Sequence, residues 1–324
     1  MKSLIVLCAF GDYFPSVSYY SQDCINQQIT LAVDKNYFFS GCYFFGISNT
    51  NNGGAISYTS SGTSGGYFVI ENCLFHDCFS SKRGGSIFIE ETKSGSVVLN
   101  KVCGFQVNAQ GATAVGNSGI CSHIRTPDSV NHKYNFLSVS GSTSSMWGTI
   151  SSWGGNQEIN NLNSSNHKNI LYYSAIYTYD GVCTIKWSTF VSNTCGNSVC
   201  VGFRYTTGIN YAQYCNIIGN NSPSGYAVVY SGAASTYIQY CNFNQNQNRL
   251  FTLVTSGFLK VQNCWITHIG TVGLTPENSS DFMETHPISH YGTHVCLSNI
   301  GFIQSFSIKR VFCLVPIFFH ILIN

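Results

Sequence analysis

The stretch Glu71-Asn72-Cys73-Leu74-Phe75-His76-Asp77-Cys78-Phe79-Ser80-Ser81-Lys82-Arg83-Gly84-Gly85-Ser86-Ile87 decides the fold. It holds a short apolar run after a cysteine, a polar interval, and two glycines leading into a second apolar run. Parts of it recur along the chain. An apolar residue stands two places after a landmark at Phe44, Phe75, Phe105, Phe136, Leu162, Phe190, Ile217, Phe243 and Ile266, at intervals of 23 to 31 residues. The landmark is Cys42, Cys73, Cys103, Cys215, Cys241 or Cys264 in six units, and Tyr134, Asn160 or Ser188 in the others. Self-similarity at this period is the signature of a stacked repeat, in which each unit buries its apolar face only against its neighbours.

Aligned on the landmark, the units show further columns. Phe39, Ile70, Ile185, Ile238 and Val261 lie three residues before it. Two before it stand Ser40, Glu71, Lys101, His132, Glu158, Lys186, Gln213, Gln239 and Gln262. Strand side chains alternate with a period of two, so the landmark and the apolar position share a face that the polar column cannot join. A bend just before the landmark reconciles the two. Five residues after the landmark, Asn108, Asn193, Asn220 and Asn246 form an expected amide ladder across coils spaced about 4.8 Å apart. Small-residue corners follow at Gly53-Gly54-Ala55-Ile56, Gly84-Gly85-Ser86-Ile87, Gly111-Ala112 and Gly225-Tyr226-Ala227-Val228. No run has the spacing of a long amphipathic helix.

The expected fold is all-β: a right-handed parallel β-helix of about nine coils and roughly 40 Å. Residues 1–35 read as an N-terminal segment or cap, 36–270 as the helix, and 271–324 as a C-terminal cap with an apolar tail. The run Leu4–Phe10 is a candidate signal peptide with a cleavage site near Ala9-Phe10-Gly11; its alternatives are a first strand or a truncated leader. Val311–Ile323 is shorter than the ~20 residues of a spanning helix and reads as a capping strand or an irregular tail, the alternative being a truncated anchor.

Composition bounds the partners. Charged residues are 9% of 324 and the net charge is +2. No basic block follows a phosphate backbone, which argues against nucleic acid. Fifteen cysteines invite a disulfide reading, but a ladder of cysteines inside a repeat reads as small buried hydrophobes, reduced. Cys73/Cys78 and Cys195/Cys200 are close enough in sequence for local bridges, which spacing alone does not decide.

Asn72-Cys73-Leu74-Phe75 followed by Gly84-Gly85-Ser86-Ile87 resembles the polymorphic outer-membrane-protein repeat, in which FxxN and GGAI elements alternate along a β-helix. Gly53-Gly54-Ala55-Ile56 matches the second element. Phe105-Gln106-Val107-Asn108, Phe190-Val191-Ser192-Asn193 and Phe243-Asn244-Gln245-Asn246 match the first, and Ile217-Ile218-Gly219-Asn220 is a variant. The cysteine-rich character is similar to surface proteins of protozoan parasites that carry this repeat. The resemblance spans about residues 36 to 270 and implies surface display, adhesion or an antigenic role, with glycans or cell-surface proteins as partners and a secreted or surface location.

A parallel β-helix can also carry carbohydrate chemistry, as in pectate lyases, which needs converging carboxylates. Glu71 is expected beside Ser40 and Lys101 as part of an exposed charge ladder, and Asp77 has no acid in its column. Asp180-Gly181 is a turn signal, and Glu90 and Glu91 fall on opposite faces. No catalytic, cofactor or metal residue is assigned, and the protein is expected not to be an enzyme. His286, His290 and His294 with Cys296 form the best metal candidate, but Pro287 and Gly292 argue against the helix that would align them. Sequons stand at Asn163, Asn220 and Asn278. Asn220 falls in the ladder, which leaves Asn163 and Asn278 as the better acceptors. The readings are, in order, a non-enzymatic surface or interaction protein, a pectin-lyase-like carbohydrate-active enzyme, and a fragment of a larger anchored surface protein.

Overall fold

The computed structural model describes residues 10–16, 18–21, 27–60, 64–110, 121–127, 130–144, 148–169, 175–196, 200–205, 208–223, 227–232, 235–254 and 257–280. One coil shows the plan. Tyr67–Glu71 is a strand of a ten-stranded sheet, Leu74–His76 of a thirteen-stranded sheet, Phe79–Ser80 of a three-stranded sheet, and Ile87–Glu90 of a nine-stranded sheet. Each strand pairs in parallel with its equivalents in the neighbouring coils. The chain is a right-handed parallel β-helix, the hand that parallel crossovers take. Its only described helix, Phe10–Tyr13, packs Phe10 on the outside of the ten-stranded sheet against Val69 and Val98.

Two columns of left-handed residues make the corners. Gly41, Asn72, Lys101, Phe136, Asn161, Trp187, Tyr214, Tyr240 and Asn263 have φ between 51° and 68°. This is the bend that the alternation required before the landmark. At each corner from Gly41 to Tyr240 the N–H donates to a carbonyl one coil on, as in Asn72 N to Asn100 O at 3.0 Å and Tyr214 N to Gln239 O at 3.1 Å. The second column is Gly46, Asp77, Gln106, Gly141, Asn166, Ser192, Gly219 and Gln245, with φ between 51° and 67°. Repeated inter-coil bonds hold a conformation that L-residues otherwise avoid.

The interior column before the first corner is Phe39, Ile70, Leu99, Tyr134, Ile159, Ile185, Ala212, Ile238 and Val261, joined in register. The five residues expected there are present and buried. The column after the corner departs from expectation. It runs Phe44, Phe75, Gly104, Val139, Ser164, Phe190, Ile217, Phe243 and Ile266. Phe105 pairs with His76 and is half-buried; Phe136 is a corner residue; Leu162 sits at the landmark level. The true landmarks in those three coils are Val102, Leu137 and Leu162, all buried. The register shifts there because loop lengths vary between coils, and apolar residues at neighbouring positions fit the same alternation.

The same shift moves the polar column. It is Ser40, Glu71, Asn100, Asn135, Asn160, Lys186, Gln213, Gln239 and Gln262. Lys101 is a corner residue, and His132 points into the interior, fully buried. Glu158 lies on the outer face, its carboxylate 3.8 Å from Lys133 Nζ.

The amide ladder forms at Asn193, Asn220 and Asn246. Asn193 Nδ2 donates to Asn220 Oδ1 at 3.0 Å, and Asn220 Nδ2 to Asn246 Oδ1 at 3.1 Å. His167 adjoins it, its backbone N–H donating to Asn193 Oδ1 at 3.1 Å and its ring Nδ1 accepting from Ser142 N at 3.3 Å. Asn108 lies outside the ladder, its Oδ1 accepting from Thr143 N at 2.8 Å. Gly53-Gly54 stacks on Gly84-Gly85 as expected. A Cβ on Gly54 would come 1.8 Å from the Gly85 carbonyl oxygen, so only glycine fits. Gly111-Ala112, Gly225 and Tyr226 lie outside the described residues.

Nine described cysteines are free and buried, among them Cys73, Cys215, Cys241 and Cys264 of the ladder. Cys42 and Cys103 are disulfide-bonded, which corrects the expectation that every ladder cysteine is reduced.

Candidate functional site

Among the described residues, carboxylates do not gather. Glu71, expected in an exposed ladder, is fully buried, with Ser40 Oγ donating to its Oε1 at 3.3 Å. Burial pushes its carboxyl above the usual range, with the hydrogen bond from Ser40 opposing. Glu90 pairs with Arg125 at 3.1 Å, and Glu277 with Lys260 at 3.1 Å. Glu91 is buried and accepts from Tyr58 Oη at 3.0 Å and Gly66 N at 2.8 Å. Asp77 is a left-handed corner between Gly46 and Gln106, and Asp180-Gly181 forms the expected turn, with φ of 53° and 66°. No three metal-binding side chains cluster among the described residues. His286, His290, His294 and Cys296 lie outside them, as do Leu4–Ala9 and Val311–Ile323. No described helix is long and apolar enough to cross a membrane.

The interior hides a polar group that the sequence did not suggest. His132 Nδ1 is 3.1 Å from Ser152 Oγ, Tyr134 Oη donates to the same Ser152 Oγ at 2.9 Å, and Thr126 Oγ1 meets His132 Nε2. All four are shut away from solvent. Desolvation lowers the His132 pKa to about 3, so the ring is neutral. A serine, a histidine and a tyrosine in contact have the chemistry of a nucleophile and base, but no substrate reaches the inside of a filled coil. The group satisfies itself, as buried polar atoms must.

Exposed aromatic and polar groups gather in two places: one borders the nine-stranded sheet, where Trp153 stacks on Tyr179 at 4.1 Å beside Tyr205, and the more extended one is the outer face of the ten-stranded sheet. Toward its N-terminal end, Phe10, Tyr13 and Phe14 cover Phe38, Tyr67, Val69 and Val98. The middle holds a polar depression of 320 Å³ lined by Asn131, Lys133, Asn156, Glu158, Thr184 and Lys186. Beyond it the face turns aromatic. Trp187, Tyr214 and Tyr240 occupy three successive left-handed corners. Their rings stack, with centroids 4.2 Å and 5.2 Å apart and planes within 8°. Trp187 and Tyr240 remain 39% and 38% exposed. Beside them runs an amide ladder: Gln213 Nε2 to Gln239 Oε1 at 2.9 Å, Gln239 Nε2 to Gln262 Oε1 at 3.2 Å, and Gln262 Nε2 to Glu277 Oε2 at 2.9 Å. Next on the same face, Tyr211 stacks on Tyr237 at 5.4 Å, and Phe258 meets Tyr237 edge-on. The three glutamines were legible in the sequence as a polar column. Trp187, Tyr214 and Tyr240 each follow that column directly, but their positions in sequence do not show that the rings meet.

Of the sequons, Asn220 is locked in the interior ladder. Asn163, expected to be a better acceptor, is also buried, its Nδ2 donating to Ser138 Oγ at 3.2 Å. Asn278 is exposed.

Among known proteins, no family model, no curated protein and no solved structure matches the chain. The fold and the face define it only as a parallel β-helix with a patterned outer sheet.

Proposed function

We propose that the chain is a non-enzymatic binding rod that recognises glycan chains on the outer face of its ten-stranded sheet. One observation carries this reading. Left-handed corners favour glycine or asparagine, as at Gly41, Asn72, Asn161 and Asn263. At three consecutive corners the chain places Trp187, Tyr214 and Tyr240 and leaves them at the surface. Bulky residues held in this conformation cost about 1–3 kcal/mol each, and such strain concentrates where it is used.

The chemistry suits a sugar polymer. Aromatic rings offer an apolar body for C–H faces with a polar edge, and a parallel row of amides and phenol hydroxyls offers donors and acceptors for hydroxyls. Coils repeat about every 4.8 Å, so equivalent groups recur along the rod as they recur along an extended polymer. The adjoining depression, with Lys133, Lys186 and Glu158, extends the same face.

Among the described residues, the scatter of the carboxylates favours binding over turnover. A pectin-lyase-like enzyme needs acids converging on one face. Glu90, Glu158 and Glu277 are instead each beside a lysine or arginine. The resemblance to polymorphic outer-membrane-protein repeats supports display at the cell surface or secretion. A piece of a larger surface protein would use the same face.

Binding to arrayed neutral and acidic glycans tests the reading. The expected result is retention of a subset of glycans, lost in a Trp187→Ala/Tyr240→Ala double variant that keeps its β-sheet spectrum. Unchanged binding in that variant would reject the site. Product release from pectin or polygalacturonate that disappears when an acid is substituted would reject the non-enzymatic reading. Labelling of intact against permeabilised cells tests the location.

A further inference from the structure

Cys195 and Cys200 meet within one coil. Their Sγ atoms are 3.1 Å apart, and both side chains are fully buried. Cys195 ends the short strand Thr194–Cys195, and Cys200 leads into Val201–Arg204 of the nine-stranded sheet. The pair therefore faces itself across a corner of a single coil.

The stacked thiols also touch one another, Cys241 Sγ hydrogen-bonding with Cys215 and Cys264, but they do so between coils and in register. Cys215, Cys241 and Cys264 each donate to the carbonyl two residues back, at Gln213, Gln239 and Gln262, over 3.2 to 3.3 Å. Cys73 donates to Glu71 O at 3.1 Å and Cys78 contacts His76 O at 3.6 Å, and both are free thiols. In-register neighbours on parallel strands also direct their Cα–Cβ bonds alike, which suits the disulfide dihedral poorly. Across the corner the two sulfurs already meet at 3.1 Å. Only a shift of about 1 Å in sulfur position separates the Cys195–Cys200 contact from a bonded pair at about 2 Å.

We propose that Cys195 and Cys200 form an intra-coil disulfide when the protein folds in an oxidising compartment, closing the corner between the end of the asparagine ladder's coil and the nine-stranded sheet. The oxidant is a disulfide such as oxidised glutathione or the active-site disulfide of a thiol oxidase. The thiolate of one cysteine attacks a sulfur of the oxidant, breaks its S–S bond and releases the first thiolate. The second cysteine's thiolate then attacks the mixed disulfide, forms the Cys195–Cys200 bond and expels the second thiolate. Two electrons pass to the oxidant, and the two protons end on the two thiols it becomes. Exchange takes place while the chain folds, because the finished coil shields both sulfurs. Cys200 Sγ also approaches Asn193 O at 3.6 Å, so the crosslink sits directly against the backbone of the amide ladder.

The test is peptide mapping of the full chain refolded in a mixture of oxidised and reduced glutathione. The sample is then denatured and alkylated without reduction. The expected result is one peptide linking Cys195 and Cys200, lighter by two hydrogens than its reduced form, with Cys215, Cys241 and Cys264 alkylated in the same digest. The disulfides at Cys42 and Cys103 report that the sample was oxidised. Alkylation of both Cys195 and Cys200 in a sample where Cys42 and Cys103 are oxidised would overturn the proposal. So would a link from either residue to a different cysteine. A Cys195→Ala variant gives an independent reading: Cys200 should become alkylated in the oxidised sample while the Cys42 and Cys103 bonds persist. Failure of Cys200 to become alkylated there would also overturn it.

Discussion

Phe75 pairs across the coil boundary with Gly104, not with Phe105. On its other side its ring lies flat on Phe44, with centroids 5.0 Å apart and planes 8° apart. The aromatic stack thus ends where a glycine replaces the expected ring, and Cys121 and Val139 fill the space. A Cβ on Gly104 would lie 2.9 Å from Cys121 Sγ and 3.3 Å from Val139 Cγ1.

Phe243→Ala and Phe105→Ala should therefore differ. Phe243 is fully buried and its loss should cost about 3–5 kcal/mol. Phe105 is half-buried on the outside, and its loss should cost about 1 kcal/mol. Gly104→Ala should destabilise by about 1–3 kcal/mol through overpacking. Denaturant midpoints measure all three; equal losses at Phe105 and Phe243 would contradict the register.

Asn220→Ala should cost about 2–4 kcal/mol. It removes the acceptor of Asn193 N and Asn193 Nδ2, both at 3.0 Å, and the donor to Phe190 O at 2.8 Å. Buried groups left without partners cost about 1–3 kcal/mol each, less whatever relaxation recovers. A thermal shift within error of the parent would show that the ladder is solvated.

Stability should fall with acidification below neutral pH. Burial lowers His123, His132 and His167 to about 3, with Arg83 and Arg125 adding to the shift at His123. The unfolded chain takes up these protons near pH 6.5, before the folded chain does. The stabilisation is whole above about pH 6.5 and is lost progressively from there toward pH 3, at up to ~1.4 kcal/mol per pH unit for each histidine. His167→Asn should extend the asparagine ladder and flatten the profile by one proton. A chemical-denaturation series from pH 7 to 4 reads the slope; a slope unchanged by His167→Asn would assign the effect elsewhere.

Trp187→Ala should change stability by no more than about 1 kcal/mol while abolishing the proposed glycan binding. The lost ring stacking on Tyr214 is partly offset by relief of the aromatic's contacts at an exposed corner. Trp187→Gly should be as stable or more so, because glycine adopts the left-handed corner without strain. A large loss of stability in Trp187→Gly would mark the stack as structural instead.

When the chain is expressed through a eukaryotic secretory pathway, Asn278 should carry the glycan and Asn163 and Asn220 should not, since both are buried and bonded. Intact-mass measurement before and after enzymatic deglycosylation, with Asn278→Gln as control, decides it.

The sequence by itself determined the architecture: parallel stacking, the bend before the landmark, the glycine corners and the interior columns at both ends of the rod. These follow from local periodicity, because every coil repeats the same alternation and the same backbone reversal. It did not determine the register of the coils bearing Phe105, Phe136 and Leu162, where loops of different length separate the strands and apolar residues at neighbouring positions fit the pattern equally well. Inter-coil hydrogen bonds decide that register, and with it whether Asn108 joins the ladder, whether His132 faces in or out, and whether Glu71 sits beside Lys101 or Asn100. The aromatic face was written in plain view at Trp187, Tyr214 and Tyr240. Only the stacking of three corners brought those rings together on one surface, because residues 26 or 27 apart in sequence become neighbours only once the coils are wound.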